Sequence, residues 1–63
     1  MCLSNVYLNE KDDKNLVIED ASVVSYNEGA VQVKSLFGKS RKIDGYIIAK
    51  VDLEKNFVIL KEI

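Results

Sequence analysis

The stretch 44-DGYIIAKVDLEKNFVIL-60 decides the fold. After the turn pair Asp44-Gly45, residues Ile47, Ala49, Val51 and Leu53 alternate with Tyr46, Ile48, Lys50 and Asp52, which is the period of a strand and not of a helix. The polar cluster Glu54-Lys55-Asn56 then separates this run from a second apolar run, so the segment reads as a hairpin. The same alternation recurs upstream, with Val31 and Val33 set against Gln32 and Lys34. Further turn signals stand at 9-NEKDDKN-15, at 27-NEG-29 and at Gly38. Only 16-LVIEDASVV-24 is open to a helical reading, and its valines and isoleucine favour a strand. The expectation is an all-β chain of about six strands, at 2–9, 16–19, 22–26, 30–37, 40–43 with 46–53, and 57–62. In one small domain spanning 1–63, antiparallel strands joined by tight turns predict an SH3-like barrel, which removes exposed edges. The alternative is an open sheet whose edge a second copy covers.

A chain of 63 residues buries only roughly 60% of the surface its unfolded form exposes, so it needs a disulfide, a metal or a partner subunit. One cysteine excludes a disulfide within the chain, which leaves metal or dimerisation. The formal net charge of -1 gives no global attraction to nucleic acid or anionic membrane. No apolar run approaches the roughly 18 residues of a spanning helix, and no secretory signal is read at the amino end, so the expected location is the cytoplasm. The first strand leaves two faces in competition for the core, Val6 with Leu8 and Leu3 with Tyr7.

Several motifs fail on chemistry. The Gly38-Lys39-Ser40 triplet resembles the end of a phosphate-binding loop, but Val33 stands where that loop requires glycine. Asp12 and Asp13 lack the alternating ligands and closing glutamate of a calcium loop. With no histidine and no second cysteine, neither a hydrolytic triad nor a dithiol pair can be assembled, so the chain is read as no enzyme. Lys34, Lys39, Arg41 and Lys42, flanked by Phe37 and Tyr46, form a candidate basic loop for nucleic acid; the balancing acidic residues favour a solvated turn instead.

Cys2 remains. Cleavage of Met1 before a small residue would leave Cys2 carrying an amine of pKa about 8 beside a thiol of about 8.5, and the two can close a five-membered chelate on a metal. Soft thiolate with nitrogen suits Ni(II) or Cu(II), with the Leu3 backbone amide as a third donor. Two chains meeting at their first residues would supply a full donor set. Copper is expected to bind at least as well in vitro. From spacing alone, a small hydrophobe on the face of Val6 and Leu8 is the favoured reading of Cys2, ahead of a metal ligand.

The order of the pieces adds to this reading. MCLSNVYL at 1–8, EDASVV at 19–24, LFGKSRKIDGYI at 36–47 and VDLEKNFVIL at 51–60 together resemble the CooT family, small accessory proteins linked to nickel insertion into carbon monoxide dehydrogenase and also catalogued as RNA-binding. The resemblance implies a small all-β homodimer that holds one Ni(II) between subunits through Cys2, as a metallochaperone or nickel store. It further implies a nickel enzyme or its maturation machinery as partner.

Overall fold

The structure is a computed structural model and describes residues 3–63. Six strands follow in order: β1 (Ser4–Leu8), β2 (Leu16–Asn27), β3 (Ala30–Ser35), β4 (Ser40–Asp44), β5 (Tyr46–Asp52) and β6 (Phe57–Glu62). One turn of 3-10 helix, Asp13–Asn15, leads into β2 with Asp12 as its cap. The strands form one sheet in the order β4-β3-β2-β1-β6-β5. β1 with β2, β2 with β3, β3 with β4 and β5 with β6 pair antiparallel, whereas β1 and β6 lie parallel, making the sheet mixed. A parallel pair needs a long connection, and here the rest of the domain serves as one.

Strands β4 and β5 occupy opposite edges of the sheet yet are separated in the chain by Gly45 alone. The two edges must therefore meet at that corner, and the sheet curls into a half-barrel. Gly45 takes φ 78°, a left-handed conformation glycine adopts without steric cost. Its N–H donates to the Gly29 carbonyl and its own carbonyl accepts from the Ile63 N–H, each at 2.9 Å, tying two turns and the end of β6 into one corner. The Asn27-Glu28-Gly29 signal becomes a two-residue hairpin with positive φ at Glu28 and Gly29, as the twist of paired strands demands.

Two strands expected at 16–19 and 22–26 are one long strand. At the intervening point Asp20 adopts φ 55° and the ladder to β3 slips between Ala21 and Val23. The bulge bends β2 so that its first half pairs with β1 and its second half with β3. The alternation in β5 is likewise interrupted. Ile48 lies opposite Leu60, but Lys50 lies opposite Ile59, so an extra residue at Ala49 shifts the phase. Ile47 consequently faces outward with Lys61, whereas Val51 turns to the inner face opposite Val58.

Both faces of the first strand are buried. Val6 joins Ile18, Ala21, Val31, Val33, Val58 and Leu60 in the main core inside the curl, with Tyr46 and Ile48 packed against it. Tyr7 points the other way and packs with Phe57, Ile59 and Leu16 in a smaller outer cluster, its ring edge-on to Phe57 at 6.5 Å. The parallel register of β1 with β6 brings these residues side by side, pairing Tyr7 with Ile59 and Val6 with Val58.

Candidate functional site

The amino end of the described chain enters one pole of the half-barrel through a run of hydrogen bonds. The Leu36 N–H donates to the Asp20 carbonyl at 3.0 Å, the Asp20 N–H to Asn5 Oδ1 at 3.3 Å, and the Asn5 N–H to the Asn56 carbonyl at 3.1 Å. The start of β1 is thus held between the bend of β2 and the β5–β6 turn, and half-buried Leu3 precedes it by one residue. Cys2, the candidate metal ligand, lies outside the described residues, as does Met1. Leu3, whose backbone amide is the candidate additional donor, is the first residue described. Among the described residues no three carboxylate, histidine or cysteine groups converge on a point.

Two turns flank this pole, each built by a polar side chain. Ser35, buried at the end of β3, accepts the N–H groups of Phe37 (3.2 Å) and Lys39 (3.1 Å) on its Oγ. Its backbone N–H donates to the Lys39 carbonyl at 2.8 Å, and its carbonyl accepts from Gly38 at 3.2 Å. The turn so fixed presents Phe37 to solvent at 75% exposure. Opposite it, Asp52 Oδ1 accepts the N–H groups of Lys55 (2.8 Å) and Glu54 (3.0 Å), shaping the turn that leaves Leu53 79% exposed. These bonds, that from Lys55 foremost, hold the Asp52 carboxyl below the usual carboxylate range. Leu36 and Val51 are exposed on the same pole. The pole therefore carries four large apolar side chains in water around the entry of the chain. Asn56 adds a polar feature that sequence reasoning missed: its Oδ1 is buried with no donor among the described residues.

The four cations considered for nucleic acid are not gathered on one surface. In the β3–β4 ladder Val33, buried, lies opposite Arg41, whereas Lys34 lies opposite Ser40 and Gln32 opposite Lys42. Arg41 therefore stands on the inner face, where its Nη1 donates to the Val17 carbonyl at 3.2 Å. Lys34 and Lys42 stand on the outer face, and Lys42 pairs with Asp44 at 3.8 Å. Lys39 and Arg41 do line one groove of about 880 Å³, at the mouth between the first half of β2 and the 36–39 turn. Glu19 and Asp20 line it too, so a phosphate there would meet both signs of charge.

No helix among the described residues is long and apolar enough to cross a membrane. No curated protein matches the chain. Among solved structures, the crystal structure of a protein assigned as a CooT from Carboxydothermus hydrogenoformans superimposes with a TM-score of 0.81, covering 98% of each chain at 16% identity. At that identity the likeness concerns the fold. The sequence profile of the CO dehydrogenase accessory protein CooT matches residues 1–61, nearly the whole chain and a span that includes Cys2. The chain belongs to the CooT family of CO dehydrogenase accessory proteins.

Proposed function

We propose that the protein is a nickel-binding accessory protein of carbon monoxide dehydrogenase maturation, holding one Ni(II) per homodimer through Cys2. The carrying observation is membership of the CooT family in a chain whose single thiol is that of Cys2. In this reading the protein is no enzyme; nickel is its cargo, delivered to or stored for a nickel enzyme or its maturation machinery in the cytoplasm. Loss of Met1 frees the amine of Cys2, which with the thiolate and the amide of Leu3 offers sulfur and nitrogen to a late first-row ion.

One feature supports a shared site. Four exposed apolar side chains, Leu36, Phe37, Val51 and Leu53, surround the entry of the chain, and such a cluster rimmed by charged residues suits burial against a second copy. A dimer formed there brings two amino termini together, so that two thiolates and two nitrogens can complete a four-coordinate site that one chain leaves short.

The test is spectroscopic titration of the Met1-processed protein with Ni(II). The expected result is a thiolate-to-nickel charge-transfer band that saturates at half a nickel per chain and is lost in Cys2→Ser. Equally tight nickel binding by Cys2→Ser would overturn the proposal. Acidification protonates both donors, so the band is expected to bleach as pH falls through the thiol and amine titrations. Retention at pH 5 would assign the metal to carboxylates instead.

A further inference from the structure

A second surface lies on the outer face of β6. Lys11, from the loop after β1, and Lys50, from the bulge of β5, reach over the ring of Phe57, their Nζ atoms 4.8 and 5.4 Å from its centroid. Lys61 completes the rim of a groove of about 520 Å³ whose floor is Phe57, Ile59 and Ala49. Three ammonium groups from three separate elements thus surround one apolar floor. Their mutual repulsion is offset in part by the negative face of the Phe57 ring, which attracts cations. Glu10 also lines the groove, and Asp52 lies near enough to feel the charge of Lys50. Yet among the described residues the pair within salt-bridge distance is Lys42–Asp44, on a different strand. Among the described residues the groove's three cations have no carboxylate within salt-bridge distance.

We infer that this groove docks an acidic segment of a partner protein, with carboxylates against Lys11, Lys50 and Lys61 and an apolar side chain on the Ile59–Ala49 floor. Charge complementarity selects carboxylates or phosphates, and the floor decides between them. Nucleic acid binds such grooves by stacking bases on exposed aromatic faces, whereas Phe57 is buried under its two lysines. An extended acidic peptide needs no stacking platform and uses the apolar floor. Among the described residues the surface does not include Leu3 or the 36–37 turn, so it is argued independently of the nickel reading, and it would leave a dimer formed at the amino-terminal pole free to bind its partner.

The experiment is an amide-resolved NMR titration of the full chain with an acetylated, amidated peptide alternating glutamate and leucine, compared with a dodecathymidylate and with inorganic phosphate. The expected result is peptide-induced shifts confined to residues 9–11, 49–50 and 57–61, weakening at high salt. The double variant Lys50→Glu, Lys61→Glu is expected to lower peptide affinity roughly tenfold or more, with Lys11→Gln giving a smaller loss of the same kind should the double variant fold poorly. Both are expected to keep the nickel band, and Cys2→Ser to keep the peptide affinity. Absence of peptide binding, unchanged affinity in the lysine variants, or tighter binding of dodecathymidylate at the same amides would each overturn the inference. Shifts by phosphate equal to those by peptide would reduce the groove to a simple anion site and overturn the protein partner.

Discussion

Replacing Gly45 by alanine tests the corner that closes the half-barrel. A Cβ placed at this position meets no atom within 4 Å, so steric crowding by neighbours contributes nothing and the cost comes from the backbone. Holding an L-residue at φ 78° costs about 1–2 kcal/mol, while alanine also loses less chain entropy on folding than glycine. The net loss is expected to be about 1 kcal/mol. A 63-residue domain at roughly 0.05–0.15 kcal/mol per residue has about 3–9 kcal/mol in total, so the change is measurable. Urea unfolding followed by tyrosine fluorescence reads it as a lower midpoint with an unchanged slope. Gly45→Asn, which tolerates the left-handed region better, is expected to recover part of the loss. If alanine proved neutral or stabilising, the left-handed link between the two sheet edges would be refuted.

Ser35→Ala removes the acceptor of two turn amides, and a loss of about 1–2 kcal/mol is expected by the same assay; an unchanged midpoint would show that the 36–39 turn does not depend on Oγ. Asp52 carries a lowered pKa, so its contribution to stability is present above the ordinary value of 3.8 and lost as pH falls through the depressed value of the folded state. Stability curves of the parent and Asp52→Asn are therefore expected to differ near neutrality and to converge in acid; a gap that widened in acid would contradict this sign. Phe37→Asp with Leu53→Asp places charge on the exposed apolar pole, and dimer affinity measured by sedimentation is expected to fall roughly a hundredfold or more with the monomer fold retained. An unchanged dimer would move the interface elsewhere.

Much of the fold was legible because turns announce themselves. Asp44-Gly45 and Asn27-Glu28-Gly29 mark the chain where backbone must enter the left-handed region, and both are turns in the structure. The bend at Asp20 reads as a gap between strands, since an aspartate in the left-handed region within a continuous strand leaves no compositional trace. The phase shift at Ala49 is equally silent: Ile47 and Val51 share a face in the letters and occupy opposite faces once one residue bulges. The parallel pairing of β1 with β6 depends on contacts more than fifty residues apart along the chain, such as Asn5 with Phe57, which no local pattern encodes. Cys2 and its chelating neighbours are proposed from position and chemistry alone and Cys2 lies outside the described residues, whereas Lys11, Lys50 and Lys61 become one surface only when three elements meet over Phe57.

Nickel shared between two processed amino termini is the central proposal. Native mass spectrometry of the Met1-cleaved protein after addition of Ni(II) measures chain processing, subunit number and metal in one spectrum. The expected species is a dimer carrying a single nickel, absent in Cys2→Ser. A monomer holding its own nickel, or an equally loaded Cys2→Ser dimer, would contradict it.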